Sequence, residues 1–443
     1  MSSDPNSPHH VASVPQGRTR RFLHIGRAVG ELAAGAAAEA VSRWARGQGT
    51  SLSQLIFTPG NARRLAERLS AMRGAVMKVG QLMSMDGQGV LPPEFAHLLG
   101  GLRDRAHHMP TAQLMDLLRR EYGAQWPQRF MHFDAEPIAS ASIGQVHRVR
   151  TIDGRVLALK IQHPGVRKSI DSDIDNLALV ARLPGLVPGG LDVAPVLQRV
   201  REQLHREADY RAEARAAAAY RNSLGPDPVL VVPAVHSDYC TAHILASDFM
   251  LGVPIDRLAL AQYPQALRDS VASALCRLAL RELFEMRRVQ TDPNFGNYLF
   301  DEASGRIALL DFGATERLTL ARVQQLRALA CALRDNNARA SAEAAEAAGL
   351  IAIEDPAVQT QALVGMMLMA GEPLRHAGAY DFAASDLFSR GFAAGRGQAL
   401  GAGFSRIPSA DLLFLQRKFV GTFMQCARLR ARVDVAALFA EYL

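Results

Sequence analysis

Two short runs about two-thirds of the way along the chain constrain its fold more than any other feature. The first is Gln290-Thr291-Asp292-Pro293-Asn294-Phe295-Gly296-Asn297, an Asp followed five residues later by an Asn. The second is the apolar strand Ile307-Ala308-Leu309-Leu310, which ends in Asp311-Phe312-Gly313. Between them lies Leu299-Phe300 and then the turn cluster Asp301-Glu302-Ala303-Ser304-Gly305, so the runs stand about one hairpin apart. Asp-Phe-Gly alone is a three-residue match of little weight. The two runs in this order are specific.

In kinase-like folds the same order sets the first Asp beside the transferred phosphoryl group, the Asn on a metal and the Asp-Phe-Gly carboxylate on Mg²⁺. The expectation is therefore Asp292 as a catalytic residue, with Asn297 and Asp311 on the metal. The upstream chain offers the partners that such chemistry needs. Ala139-Ser140-Ala141-Ser142-Ile143-Gly144 is a small-residue loop between two strands, and Asp153-Gly154 marks a hairpin turn before the strand Arg155 to Gln162. That strand carries Lys160 in Leu-Ala-Leu-Lys. Residues Ala139, Ser140, Ala141 and Ser142 are expected to cover the phosphates of ATP, and Lys160 to contact them. A single helix read from Pro195 to Leu224 carries Glu202, Glu207, Asp209 and Glu213. Glu202, Asp209 and Glu213 fall near one face of it, and one of them should pair with Lys160.

Charge usage sharpens this. Of 50 basic residues only Lys78, Lys160, Lys168 and Lys418 are lysine, so a lysine kept here signals a need for a compact ammonium. A net charge of +7 admits nucleic acid or an anionic membrane as partner. No nucleic-acid module is present and few aromatics flank the basic residues, which favours the membrane surface. No apolar run approaches the ~18 residues that span a bilayer, and the first twenty residues lack the apolar core of a secretory signal. Cys240, Cys276, Cys331 and Cys426 are widely scattered, which fits a reduced compartment and no zinc site.

The 443 residues divide by pattern into a polar lead-in (1–17), a helical extension (18–110), a first lobe with an inserted helix (111–250) and a helical second lobe (251–443), with Leu251-Gly252-Val253-Pro254 as hinge. In the extension a helix over about Asn61 to Ser84 has a core stripe of Leu65, Leu69, Met72, Val76, Val79 and Met83, and a second face with Gly74, Lys78, Gln81 and Met85. In the second lobe helices are expected over Tyr263 to Arg288 and over Ala410 to Arg432. The latter reads as a packed helix whose Arg417, Lys418, Arg428 and Arg430 form a basic outer side.

Several parts depart from ordinary protein kinases. The covering loop carries Cβ atoms where glycines would stand, so it cannot wrap phosphates in the same way. Gln290-Thr291 replaces the His-Arg before the catalytic Asp. A helical pattern follows Asp311-Phe312-Gly313 quickly, with no Ala-Pro-Glu platform for a peptide.

With Lys78-Val79-Gly80-Gln81 (KxGQ), the Ala-rich run Ala139 to Gln145, Leu157-Ala158-Leu159-Lys160, Glu207-Ala208-Asp209 (ExD), Glu213, Asp292 to Asn297 and Asp311 to Gly313, the sequence resembles the UbiB/AarF-like family of atypical kinases, in its coenzyme Q branch. The resemblance covers roughly residues 15 to 443. It implies an α+β, bilobal protein-kinase-like fold with an N-terminal helical extension carrying the KxGQ motif. It implies a slow ATPase, using Mg²⁺ and ATP, stimulated by anionic membranes and isoprenoid-quinone precursors and needed to make ubiquinone. Carried over, Lys160 and Glu213 form the nucleotide ion pair, Asn297 and Asp311 hold Mg²⁺, and Lys78, Gln81, Glu207 and Asp209 form autoinhibitory contacts. Two departures stand out: Ser140 replaces the common Ala, and no C-terminal membrane span follows. The expected location is cytoplasmic, peripheral on the inner membrane face. Competing readings are a nucleotide-binding pseudokinase scaffold and a true protein kinase; the retained Asp292, Asn297 and Asp311 argue against the first, and the missing activation segment against the second.

Overall fold

The computed structural model describes residues 109–181, 194–352, 354–391, 393–394 and 410–443. The KxGQ residues Lys78 and Gln81, with the rest of the extension before Met109, lie outside the described residues. The chain divides into two units. One runs through Ala214 and includes Val235–Phe249; the other comprises Arg215–Ala234 and Met250–Leu443.

The first unit opens with α1 (Thr111–Tyr122) and β1 (Phe130–Phe133), followed by β2 (Ala139–Ser140), β3 (Gly144–Thr151) and β4 (Val156–Gln162). Two helices then follow, α2 (Val166–Ala181) and α3 (Ala194–Glu207), and α4 (Tyr210–Leu224) begins in this unit. The antiparallel sheet has the order β1-β3-β4-β6, where β6 is Ile244–Asp248, and β2 adds to β3. Alternation along β4 decides which side chain faces where. Leu157, Leu159 and Ile161 are fully buried and pack with Leu114, Leu117 and Leu118 of α1, which recur at helical spacing. Lys160, one step out of that phase, points to the other face. Gly154, at φ +89°, makes the β3–β4 turn that fixes this register, with Lys160 opposite Val146 on one side and Leu245 on the other.

One helix was expected from Pro195 to Leu224, and the structure corrects this to two. Ala208 N donates to Leu204 O at 2.9 Å to close α3, and Asp209 Oδ1 accepts from Ala212 N at 3.0 Å. Asp209 is thus the N-terminal cap of α4, a position where a short acid satisfies a backbone donor that no helix carbonyl reaches. Glu202 stays on α3, exposed and bonded to Gln198, and does not share a helix with Glu213.

The second unit holds the sheet β5 (Leu230–Val231)–β10 (Arg306–Leu309)–β9 (Tyr298–Asp301)–β7 (Val253–Pro254), parallel between β5 and β10 and antiparallel elsewhere. Helix α5 (Gln265–Arg281) buries Val271, Ala272, Leu275, Cys276, Leu278, Ala279 and Leu280. The helix read from Tyr263 to Arg288 does not run so far. It passes into a π turn, Glu282–Met286, and ends where Arg287 adopts φ +50°, after which β8 (Arg288–Gln290) begins. Strand β8 pairs with β11 (Thr315–Arg317), matching Gln290 to Thr315. Helices α6 (Leu320–Arg334), α7 (Ala338–Ala347) and α8 (Ala357–Ala370) follow, then the pair β12 (Tyr380–Asp381)–β13 (Arg432–Val433), the helix α9 (Ala410–Arg428) and α10 (Val435–Ala440).

Helix α9 stops short of the expected Arg432, and of its expected basic side Arg428 is exposed, as is Arg430 just beyond the helix, whereas Arg417 and Lys418 turn inward. Lys418 is 1% exposed, and the Arg417 side chain is 11% exposed. Each is drawn inward by a carboxylate described below. Among the described residues no helix is long and apolar enough to cross a membrane.

Candidate active site

In the first unit, Lys160 Nζ donates to both oxygens of Glu213, at 2.7 and 3.0 Å. The Glu213 side chain is 1% exposed and that of Lys160 18%, so the pair is held largely away from water, where geometry this tight is needed to offset lost solvation. The Tyr210 ring lies 5.3 Å from the ammonium, which adds a cation–π contact from the first turn of α4. Of the helix acids expected to meet Lys160, Glu213 is the one that does.

The small-residue loop is a tight turn between β2 and β3. Ala139 pairs with Val146 and Ser140 with Gln145, and Ala141 N donates to Gly144 O at 2.9 Å. Ala139 and Ser140 are exposed; Ala141 and Ser142 are half-buried. Ser142 Oγ donates to Glu207 Oε2 at 2.6 Å, so the loop is tied to the end of α3 through the buried first acid of the ExD motif. Gly144 is required by crowding: a Cβ there would stand 2.4 Å from Ile161 O and 2.9 Å from Tyr210 Oη.

In the second unit the two sequence runs come together as the hairpin spacing anticipates. Leu310 N donates to Asn297 O at 3.0 Å, and Thr291 N donates to Ala314 O at 2.8 Å. Gln290, buried, sends its amide nitrogen to Asp292 O at 2.8 Å and to Asp311 O at 3.3 Å, so one side chain bridges both runs. Where kinases carry His, this Gln stitches the loop. Asn297 Nδ2 donates to Asp292 O at 3.0 Å, which turns the carboxamide oxygen away from that carbonyl. Asp311 Oδ1 accepts from Gly313 N at 3.0 Å, and Phe312 packs against Tyr220 with ring centroids 4.8 Å apart.

A small cavity is lined by Asn297, Asp311, Gln290, Glu282 and Tyr220. Asp311 and Asn297 offer a carboxylate and a carboxamide oxygen, both hard ligands, which fit Mg²⁺ better than a soft metal. Among the described residues no cluster of three or more His, Cys, Asp or Glu forms a complete metal cage. Two protein oxygens suffice for Mg²⁺, which retains waters and takes phosphate oxygens for the rest of its shell.

Sequence reasoning missed the contribution of α9. Arg417 Nη2 donates to Asp292 Oδ1 at 2.8 Å, with both side chains about nine-tenths buried. The next residue, Lys418, places Nζ 2.7 Å from Glu282 Oε2, and Tyr220 Oη donates to Glu282 Oε1 at 2.6 Å. Burial pushes the Glu282 carboxyl up, although the Lys418 charge opposes this. Burial would pull Lys418 down, but Glu282 and Tyr298 outweigh it and hold the ammonium charged. The scarcity of lysine was a usable signal: Lys418, like Lys160, is kept for a carboxylate in a confined space.

The mixed sheets and helices of the two units, with the Lys160–Glu213 pair in the first and the Asp292 and Asp311 runs in the second, are those of a kinase-like fold. Residues 101–345 match the ABC1 atypical kinase-like domain. The chain belongs to the ABC1 atypical kinase-like family, as the resemblance in its motifs implied, and its activity is ATP-dependent phosphoryl transfer or ATP hydrolysis. Among its relatives, "Atypical kinase COQ8B, mitochondrial" of Rattus norvegicus is 34% identical over 434 residues, covering 97% of this chain and 81% of the relative. "Atypical kinase COQ8, mitochondrial" of Saccharomyces cerevisiae is 33% identical over 432 residues, covering 97% and 85%. A solved structure, the Rv3197–erythromycin complex from Mycobacterium tuberculosis, shares the fold with a TM-score of 0.58 at 24% identity, covering 86% of this chain and 95% of that one.

Proposed function

We propose that this protein is a Mg²⁺-dependent ATPase of the atypical kinase type, acting at an anionic membrane surface in support of ubiquinone synthesis. In this reading Lys160, fixed by Glu213, contacts the nucleotide phosphates beneath the Ala139–Ser142 turn. Asn297 and Asp311 hold Mg²⁺, which when bound neutralises charge on the phosphate oxygens. Asp292 orients the attacking nucleophile. Glu207 and Asp209, with Lys78 and Gln81, serve the autoinhibitory contacts.

One observation carries the choice of hydrolysis over protein phosphorylation. After Gly313 the chain enters β11 at Thr315, and α6 already starts at Leu320. That connection is too short for an activation segment on which a polypeptide could lie, which leaves water or a small acceptor as nucleophile. The ubiquinone assignment rests on the kinship with the COQ8 proteins. The membrane assignment rests on the net charge of +7.

The test is phosphate release from ATP with and without cardiolipin liposomes, comparing wild type with Asp311→Asn. Hydrolysis that rises on liposomes and disappears in the variant supports the reading. Hydrolysis equal in both proteins contradicts the site, and nucleotide binding without any hydrolysis points to a scaffold.

A further inference from the structure

The loop that carries Asp292 offers no cation of its own, because Gln290-Thr291 stands where kinases carry His-Arg. A cation nevertheless reaches Asp292, from an element 125 residues further along the chain. We propose that Arg417 is a positioning residue for Asp292, and that helix α9 is a brace built to deliver it.

Three contacts from α9 carry the inference. Arg417 Nη2 meets Asp292 Oδ1 at 2.8 Å. Lys418 meets Glu282 at 2.7 Å with side chains 2% and 0% exposed, a buried anchor that fixes the rotation of the helix. Gln425 lies seven residues beyond Lys418, two turns on and so on the same side as that anchor, and its Nε2 donates to Pro293 O at 2.9 Å. The helix therefore grips the loop at two successive residues, Asp292 by its side chain and Pro293 by its carbonyl. A solvated basic face needs none of this; a guanidinium held to one carboxylate oxygen by a pinned helix fixes the carboxylate plane. Among the described residues, Tyr298 of β9 interacts electrostatically with Lys418, Glu282 and Asp292, and Arg417 is bonded to Asp292 Oδ1. Because a catalytic group displaced by about 1 Å can lose about 100-fold in rate, Arg417 governs turnover, while ATP affinity stays with Lys160 and Glu213.

This inference rests on the reading of Asp292 given above, so the test includes Asp292→Asn. Steady-state ATP hydrolysis is measured for the full chain as wild type, Asp292→Asn, Arg417→Ala and Arg417→Lys, with guanidinium chloride added at low millimolar concentration. The expected result is a kcat lower by about 10- to 100-fold in Arg417→Ala with KM for ATP changed less than about twofold, the signature of an interaction used in turnover and not in binding. Guanidinium should restore part of that kcat, and Arg417→Lys, which keeps the charge and loses the fork, should fall between Ala and wild type. An Arg417→Ala protein that is folded, slow and unresponsive to guanidinium overturns the proposal, as does an unchanged kcat. If Arg417→Ala does not fold, Arg417→Lys decides: lowered kcat at unchanged KM supports the proposal, and wild-type kcat overturns it. Unimpaired hydrolysis by Asp292→Asn instead overturns the site assignment itself.

Discussion

Lys418 Nζ lies 2.7 Å from Glu282 Oε2, and neither side chain reaches water. Glu282 also accepts from Tyr220 Oη and from Gln290 N, so α9, α4, the π turn and β8 converge on one carboxylate. The π turn matters here: after α5, its wider winding and the left-handed Arg287 bring the chain into β8, where Gln290 begins the loop.

Removing one partner of such a pair leaves the other charged and buried. Lys418→Met should destabilise the second unit by about 3–5 kcal/mol, because Glu282 then has no counter-charge, whereas Lys418→Met combined with Glu282→Gln, which keeps an acceptor for Tyr220 Oη and Gln290 N, should recover much of the loss. Urea unfolding of the single and double variants measures both. Equal stability of the single variant and wild type would remove the anchor role.

Gly144 tests the packing of the covering turn. Gly144→Ala places a methyl 2.4 Å from a backbone carbonyl of β4, which cannot move without disturbing the register that presents Lys160. An overpacking loss of about 1–3 kcal/mol is expected, with weakened nucleotide binding in fluorescence titration. Gly165→Ala is strained only by its own backbone at φ +76°, with nothing near its Cβ, and should leave nucleotide binding intact.

Breaking the ion pair should separate binding from folding. Glu213→Gln frees the ammonium of Lys160 from its fixed position while preserving shape. ATP affinity should fall by about 10-fold or more, since an interaction with a charged group of about 1.5–3 kcal/mol is lost. Calorimetric titration with Mg²⁺-ATP reads this directly, and unchanged affinity would contradict the role given to Lys160.

A pH dependence follows from Tyr380. Burial first, and the carboxylate of Glu372 with it, push this hydroxyl up to about 12, although the Ser385 hydrogen bond opposes the shift. The folded form therefore holds its proton more tightly than the unfolded chain, whose tyrosines titrate near 10. The stabilisation is fully present below pH 10 and is lost as pH rises from 10 through about 12. Ultraviolet titration of wild type against Tyr380→Phe should show one tyrosinate missing from the late phase; loss of an early-phase tyrosinate would contradict the shift.

Much of the site was legible because it is written in local order. The turn at Asp153-Gly154, the alternation of Leu157, Leu159 and Ile161 against Lys160, and the hairpin between Asn297 and Asp311 each depend on residues close in sequence. The break between α3 and α4 was hidden because Ala208-Asp209 sits within an unbroken helical pattern, and only the cap bond of Asp209 reveals it. The inward turn of Arg417 and Lys418 was hidden for a different reason. Their partners lie more than a hundred residues away, so nothing in the helical periodicity separates these two cations from the exposed Arg428 or Arg430. Amphipathic patterning assigns charge to solvent by default, and a buried ion pair is the case where that default fails.

Asp311 and Asn297 are the residues on which the proposed Mg²⁺-dependent hydrolysis of ATP depends. The most direct measurement is phosphate release from ATP by the full chain with Mg²⁺, with EDTA, and with Asp311→Asn in place of wild type. Steady release by wild type with Mg²⁺ and background release in the other two cases are expected. Release by Asp311→Asn at the wild-type rate, or release that persists in EDTA, would contradict that dependence.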